Sequence, residues 1–265
     1  MKQKYSVSIV IVSLNTKNKF KKTILSAYNQ TYPNKEIIVV DGLSSDGSIK
    51  EIYKLKKYIS KFIIEKDKGI YDAMNKGIKL SSNKWLIFLN SGDYFFNKDV
   101  LKNIFKNEIP KKKNILFGDT IVSQGSIKYI EKAKIFSNTT SLMPFCHQSV
   151  LVNRSIMQKR NFSLNYHYSS DFDFFIRCYL KKMFFHNLNL TISVVSSGGL
   201  SDTNRHNVYN ENIKILLKIK KHFLVFILYK LKIFNFLKDI IKFILPTFVN
   251  KMIIKIKYSK NLYKK

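Results

Sequence analysis

The sequence predicts an α/β fold: a mostly parallel central sheet flanked by helices, with a basic amphipathic helical appendage towards the C-terminus. Three observations carry this reading. Short all-apolar runs alternate with segments of helical period at the spacing of βαβ units. Two of the runs lead into carboxylates, Asp41 and Asp93, and ligands of open α/β sheets bind outside the carboxyl ends of the strands. From about residue 205 the charge balance shifts, with fifteen Lys/Arg against two acids over residues 205–265, a net of +13.

Residues 6–14 (SVSIVIVSL) form a β-branched run, the pattern of a strand covered on both faces. Phe20, Ile24, Leu25 and Tyr28 then recur at helical spacing over 17–29. Pro33 punctuates, and residues 36–40 (EIIVV) give a second strand. Ser44, Ser45 and Asp46 are good N-caps for a helix over 48–58. Residues 60–65 read as a third strand, 70–80 as a helix opened by Gly69, and 84–90 as a buried fourth strand. Beyond Asp93 the alternation loosens. Residues 101–105 look helical, 115–117 form a short strand ending at Gly118-Asp119, and 120–135 read as a hairpin around Gln124-Gly125. Residues 147–152 are strand-like, 170–182 helical and 188–196 strand-like, and Gly198-Gly199 closes this half.

At 265 residues, 45% of them hydrophobic, the chain has room for one large α/β domain or a domain plus an appendage, and its composition disfavours wholesale disorder. Forty-seven Lys/Arg against 17 Asp/Glu give a net charge of +30, which favours partners carrying phosphate or an anionic surface. A Lys-, Asn- and Ile-rich bias of the kind AT-rich coding produces accounts for part of that excess. Cys146 and Cys178 show no CxxC and no metal-ligand spacing, which fits a reduced, cytosolic setting. The opening apolar run is short and broken by Ser8 and Ser13, and no small-residue cleavage site follows, so it reads as a strand rather than a signal peptide. Neither GxGxxG nor GxxxxGK[ST] occurs, which disfavours a dinucleotide dehydrogenase or a P-loop NTPase. A nucleotide can still be held by carboxylates to its base and ribose, with Mg2+ bridging protein to pyrophosphate.

Four runs, VSIVIVSLN, VVDGLSSDGS, EKDKGIYDAMNKGI and WLIFLNSGD, stand in this order on the predicted strand ends. Together they resemble the nucleotide-binding half of family 2 glycosyltransferases, and more closely the bacterial branch that builds capsule, exopolysaccharide and lipopolysaccharide glycans. The resemblance covers residues 5–200 and is dense over 5–95. It implies the Rossmann-like GT-A fold and a nucleotide-sugar donor, above all a UDP-sugar. It also implies Mn2+ or Mg2+, and inverting transfer to a hydroxyl of a lipid-linked or polysaccharide acceptor. On this reading residues 1–204 form the GT-A domain, with 1–95 the nucleotide-sugar half and 96–204 the acceptor and catalytic-base half, and residues 205–265 form the tail.

The same resemblance assigns roles. Val12, Ser13 and Leu14 at the first strand end would meet the base, largely through backbone. Asp41 is similar to the family's base-binding acid and Asp46 to the acid of its DGS element, although Asp46 also suits helix capping. Asp72 and Asn75, three apart on one helix face, would approach ribose and phosphate, or else face solvent. Family members usually carry Asp-x-Asp; here Asn90-Ser91-Gly92-Asp93 stands in its place, as it does in other members of the branch. Asn90 would then contact ribose, Gly92 cannot ligate, and Asp93 is left as the one metal carboxylate. His147-Gln148 resembles the HQ pair that faces donor sugar or acceptor, though a strand histidine also serves structure. Ser170-Asp171-Phe172-Asp173 opens a helix where the family places its base. Asp171 aligns better than Asp173, and either acid also complements a helix dipole. Gly198-Gly199-Leu200-Ser201 resembles an active-site loop, with Arg205 and His206 behind it as candidates for the pyrophosphate or the ion.

On a helical wheel of the tail, Asn235, Lys238, Asp239 and Lys242 share one arc, and Ile233, Phe236, Leu237, Ile240, Phe243 and Ile244 the other. Such a helix lies in a membrane interface or packs on its own domain. No run reaches the roughly 18 apolar residues of a spanning helix. The expectation is a cytoplasmic protein, peripheral on the inner face of the plasma membrane and bound to anionic lipid through residues 213–265. The competing reading is a non-catalytic nucleic-acid- or membrane-binding protein on a degenerate transferase fold. A nucleic-acid partner is not expected, because the tail's aromatics lie opposite its lysines rather than interleaved with them.

Overall fold

The computed structural model describes residues 5–106, 109, 113–244, 249 and 261–263. Its first half alternates strand and helix. The elements are β1 (Val7–Ser13), α1 (Lys17–Tyr28), β2 (Lys35–Asp41), α2 (Ser48–Lys54), β3 (Lys61–Ile64), α3 (Ile70–Leu80) and β4 (Trp85–Asn90). The second half holds β5 (Tyr94–Phe95), α4 (Val100–Phe105), β6 (Lys113–Gln124), β7 (Ile127–Glu131), β8 (Val150–Asn153), α5 (Arg154–Lys159), α6 (Ser170–Leu180) and β9 (Phe184–Ser196). Three helices follow, α7 (Leu200–Thr203), α8 (Arg205–Lys218) and α9 (His222–Ile244).

The strands join one sheet in the order β3-β2-β1-β4-β8-β6-β9-β5, with β7 paired to β6 off this path. Strand β1 pairs in parallel with both β2 and β4, and β2 with β3. Its side chains alternate into two separate cores. Val10 and Val12 enter one with Tyr71, Met74 and Ile78 of α3, while Val7, Ile9 and Ile11 enter the other with Phe20, Ile24 and Ala27 of α1. Each such Val or Ile, fully desolvated, contributes about 1.5–3 kcal/mol. Gly77 lets α3 approach: a Cβ there would collide with the Val10 side chain.

The sheet is mixed beyond β4, whereas the sequence pattern suggested a largely parallel one. Strand β8 runs antiparallel to β4 and β6, β6 runs antiparallel to β7, and parallel pairing returns between β6 and β9. The run 115–117 and the first arm of the 120–135 hairpin are one long strand, β6, which bends at irregularities in its β9 register rather than breaking. Residues 147–152 are not all strand: His147–Ser149 close a 3-10 turn, with Ser149 N–H donating to Cys146 O at 2.9 Å, before β8 begins. The helix expected over 48–58 is α2 followed by a separate 3-10 turn, Lys56–Tyr58.

Helices α8 and α9 do not stand apart. Tyr209, Ile213, Ile215, Leu216, Leu224, Val225 and Leu228 lie in the same core as Val10 and Phe88. From Phe223 onwards α9 also bears an outward apolar face, with Phe223 70%, Phe226 56%, Ile233 61% and Phe234 64% exposed. Asn235 turns inward, its Nδ2 donating to Tyr209 Oη at 2.8 Å. Of the helical wheel drawn from the sequence, the side chains of Lys238, Asp239, Ile240, Lys242, Phe243 and Ile244 lie outside what is described, as do residues 245–248, 250–260 and 264–265 of the expected lipid-binding segment.

One buried acid ties the far end of the sheet together. Glu36 accepts from Ser8 Oγ, from Ser82 N at 2.7 Å and Oγ at 2.8 Å, and from Asn83 N at 3.2 Å, with Lys61 Nζ at 3.0 Å. Burial alone would raise its pKa, but hydrogen bonds from Ser8, Ser82 and Lys61 outweigh it and hold the carboxyl down at about 2. A depressed carboxyl pKa adds stability above its unfolded value of 4.5, and that stability is lost as pH falls from there towards about 2. We expect Glu36→Gln to cost on the order of 2–3 kcal/mol in urea unfolding at pH 7. At pH 2 the variant and the wild type should converge.

Candidate active site

The register sets Ser13 opposite Asp41 and Val12 opposite Asn90, so β1, β2 and β4 end level with one another. The loops that follow are joined by short polar side chains. Ser13 Oγ lies 2.8 Å from Thr16 Oγ1, which reaches Ser91 Oγ at 2.7 Å. The Asn15 and Thr16 amides donate to Ser44 Oγ at 2.8 Å and Ser48 Oγ at 3.0 Å. Asp41, fully buried, accepts from Ser44 N at 2.7 Å and Ser44 Oγ at 2.8 Å, so its carboxylate shapes the loop behind the strand end. Asp46, one residue before the Gly47 N-cap of α2, accepts from Ser48 N at 2.9 Å and Ser48 Oγ at 2.6 Å. Leu14 is 52% exposed beyond the strand end.

Asp93 is buried, and Gln148 Nε2 donates to its Oδ2 at 2.8 Å. Cys146 Sγ lies 2.7 Å from Gln148 Oε1 and sets which way that amide faces. Burial pushes the Asp93 carboxyl up from its ordinary value, against the pull of Gln148 and His147, and burial likewise drives the Cys146 thiol far above its usual range. Gly92 adopts φ +106° while its N–H donates to Thr23 Oγ1 at 2.8 Å. The family's second acid is thus replaced by a turn that an L side chain strains. Asn90 Oδ1 is buried with no partner. Two hard oxygens, one orphaned and one on a desolvated carboxylate, suit a cation that keeps most of its shell for phosphate and water. Among the described residues no group of three or more His, Cys, Asp or Glu is arranged to hold a metal.

Asp171, in the first turn of α6, is held from both halves of the molecule. Tyr71 Oη of α3 donates to Oδ1 at 2.9 Å, as does the Phe172 amide at 2.9 Å, and His147 Nδ1 stands 3.3 Å from Oδ2. His147 Nε2 is buried and unpartnered. Asp173, two residues on, is paired away: Arg177 Nε and Nη2 reach its Oδ2 at 2.8 and 2.7 Å. A cavity of about 390 Å³ has Tyr71, Asn90, His147, Gln148, Asp171 and Arg205 in its wall. Gly199, Leu200 and Ser201 form another part of it, so the loop singled out at Gly198-Gly199 does border the site.

The structure therefore brings Asn90, His147, Gln148 and Asp171 to one cavity, with Asp93 directly behind Gln148. Ser13, Leu14, Asp41 and Asp46 cluster at the neighbouring strand ends. Asn75 instead clasps the Phe162 backbone, donating to its O at 2.9 Å and accepting from its N at 3.0 Å. Asp72 caps the start of α3 through Lys68 N at 3.0 Å and meets Lys76 at 3.7 Å. His206 packs edge-on against Phe236, with ring centroids 5.7 Å apart. Sequence reasoning passed over Tyr71, although its place within GIYDAMNKGI and its helical spacing with Met74 and Ile78 were signals. It also passed over the Thr16 hydroxyl bridge, which no local pattern announces.

A family model described as glycosyl transferase family 2 matches residues 8–184. A PGL/p-HBAD biosynthesis glycosyltransferase of Mycobacterium bovis is 28% identical over 206 residues, 74% of this chain and 79% of that protein. The Escherichia coli protein WfaP, a UDP-Glc:alpha-D-GlcNAc-diphosphoundecaprenol beta-1,3-glucosyltransferase, is 28% identical over 234 residues, 82% of this chain and 88% of its own. Among solved structures, Staphylococcus aureus TarS 1-349 in complex with UDP-GlcNAc matches with a TM-score of 0.61 at 14% identity, covering 83% of this chain and 70% of that one. The mannosyltransferase PcManGT of Pyrobaculum calidifontis, in complex with GDP-Man and Mn2+, matches with a TM-score of 0.63 at 12% identity, over 82% and 64%. Against a longer TarS chain, the match spans 39% of that chain's length. The structural matches bear on fold.

Because Asp173 is engaged by Arg177 and Asp171 faces the cavity, the two acids should separate by experiment. We expect Asp173→Asn to lower stability by about 1–3 kcal/mol in chemical unfolding, discounted for the part-exposed arginine, with turnover kept within about threefold.

Proposed function

The chain belongs to glycosyl transferase family 2 and has the GT-A fold, and from that premise we propose how this glycosyltransferase works and on what. The donor is a nucleotide sugar, a UDP-sugar first of all. The acceptor is a hydroxyl of a lipid-linked or polysaccharide glycan. Transfer is a single inverting displacement. The observation that carries the reading is the cavity: Asp171, a carboxylate held by both halves of the molecule, faces the same space as Asn90 at the end of β4.

The nucleotide lies across the ends of β1 and β2, where Ser13, Leu14, Asp41 and Asp46 gather. Asp171 takes the proton from the acceptor hydroxyl as its oxygen attacks the anomeric carbon, and the bond to the diphosphate breaks with its electron pair. His147 keeps the Asp171 carboxylate facing the cavity, and its free Nε2 is available to a sugar hydroxyl. Gln148 and Asn90 line the side nearest Asp93. A divalent cation, Mn2+ or Mg2+, would be held by Asp93 and Asn90 Oδ1, and when bound it neutralises charge on the leaving diphosphate. UDP-GlcNAc and GDP-Man with Mn2+ in the two structural matches support the donor and ion classes, and the diphosphoundecaprenol named for WfaP supports the acceptor class.

The protein meets the membrane, on this proposal, through the outward face of α9, at the cytoplasmic side of the plasma membrane. Phe223, Phe226, Ile233 and Phe234 would enter the interface, and the nearby lysines would pair with anionic headgroups. No helix among the described residues is long and apolar enough to cross a membrane. Helices α8 and α9 thus serve two ends, packing on the domain through Ile213, Leu216, Leu224 and Leu228 while α9 presents an outward apolar face from Phe223 onwards.

Two experiments test this. In an assay of nucleotide release from a panel of UDP- and GDP-sugars with Mn2+, Asp171→Asn should lose about 10²–10⁴-fold in kcat with donor binding retained. Asp93→Ala should lose Mn2+-dependent donor binding; full turnover by both variants would sink the assignment. In flotation with phosphatidylglycerol vesicles, Phe226→Glu combined with Ile233→Glu should leave the protein in the soluble fraction with its melting temperature unchanged. Undiminished vesicle binding would remove α9 from the interface. Truncation from residue 213 is a poorer test, because it deletes the buried Ile213, Ile215 and Leu216.

A further inference from the structure

Tyr71 carries one hydroxyl proton and stands before two acceptors. Its Oη lies 2.9 Å from Asp171 Oδ1 and 3.1 Å from the Tyr168 carbonyl oxygen. The ring is buried and packs against Phe162, with centroids 5.4 Å apart, so the hydroxyl has little freedom except rotation between these two partners. Burial, reinforced by the negative charge of Asp171, pushes the phenol well above its ordinary range and keeps it a protonated donor.

The second acceptor is fixed as firmly as the first. Glu211 of α8 accepts the backbone N–H of His167 at 2.8 Å and those of Tyr168 and Ser169 at 2.9 Å each. Three bonds to one carboxylate, each about twice as strong as a neutral pair, lock the loop that leads into α6. The Tyr168 carbonyl is therefore held beside Asp171 by a residue of the C-terminal helices.

We infer that Tyr71 is a positioning residue whose hydroxyl proton changes acceptor during catalysis. Before transfer it donates to the charged Asp171 carboxylate and aims it. As the acceptor O–H bond breaks, that proton passes to Asp171, the new C–O bond forms, and the electron pair of the breaking bond leaves with the diphosphate. Asp171, now neutral, needs the Tyr71 donor less, and the phenol proton turns to the Tyr168 carbonyl, leaving Tyr71 Oη able to accept from the protonated acid. No charge is created on Tyr71, and the proton on Asp171 is lost to water when product departs. This rests on the reading of Asp171 as the base. Tyr71 and His147 contact Asp171 directly; the other charged and titratable groups lining the same cavity are Tyr129, Glu131, Cys146, Tyr168, Asp202 and Arg205, with Glu211 beyond Tyr168.

The test is Tyr71→Phe, which keeps the ring and removes the hydroxyl. Losing a donor to a carboxylate favours its protonated form. In protein labelled with [13C]Asp, with the Asp171 carboxyl resonance assigned by its absence in Asp171→Asn, the variant's resonance should change with pH at a higher pH than in the wild type. Turnover of the donor found active in the panel should fall about 10- to 100-fold, with the acid limb of kcat/KM moving the same way and UDP affinity unchanged. Glu211→Gln, which weakens the hold on Tyr168, should lower kcat without moving that limb. An unmoved Asp171 titration in Tyr71→Phe overturns the role of Tyr71, whatever the turnover. If Asp171→Asn itself turns over normally, the base assignment falls as well, so the two failures are distinguishable.

Discussion

Strand β1 has neither a solvent-facing edge nor a solvent-facing side: β2 and β4 pair with it in parallel on its two edges, and helices α1 and α3 cover its two faces. Every residue from Val7 to Ser13 is buried as a result. That confinement has a chemical outcome. Parallel neighbours end on the same side, so Ser13, Asp41 and Asn90 emerge together, and the loops after them must supply all the polar groups there. The level arrangement of these three strand ends is a consequence of how this one strand is packed.

Two links join the halves of the chain around the cavity. Gln148 crosses to Asp93, and Tyr71 crosses to Asp171. Both rely on segments that are irregular rather than helical or extended, the 3-10 turn at His147–Ser149 and the loop pinned by Glu211. Short irregular segments are where side chains are aimed at ligands, and here each is fixed by hydrogen bonds to its backbone or to a buried side chain. Glu211 gives the C-terminal helices a direct bearing on the site, since the helix that holds the loop before α6 also packs against α9.

Charge is divided unequally between surface and interior. The chain carries 47 basic side chains and 17 acids, yet Glu36, Asp41, Asp93, Asp119 and Asp173 are all buried. Each is satisfied by named donors: Ser8 and Ser82 for Glu36, Ser44 for Asp41, Gln148 for Asp93, Lys132 and Ala133 for Asp119, and Arg177 for Asp173. A buried carboxylate costs several kcal/mol unless it is paired in this way. The excess positive charge is accordingly a property of the exterior, where it bears on partners rather than on folding.

The sequence by itself determined the order of strands and helices up to Asp93, though not the break after α2, because doubly buried strands leave uninterrupted β-branched runs and the helices keep their 3.6-residue period. It also determined the family, through four runs in fixed order, and placed His147, Gln148 and Asp171 as candidates. Only the tertiary structure gives different surroundings to acids that look alike in the chain. Asp171 and Asp173 share one helical turn, but Arg177 takes Asp173 while Tyr71 and His147 hold Asp171 towards the cavity. Asn75 sits in a motif with Tyr71 and is spent on Phe162, far along the chain, which no local pattern signals. The basic tail likewise read as one amphipathic element, yet its first part is core and its outward apolar face begins only at Phe223. In each case the periodicity records that a face is apolar or that an acid opens a helix. What meets that face or that acid depends on contacts between residues distant in sequence, and those exist only once the sheet has assembled.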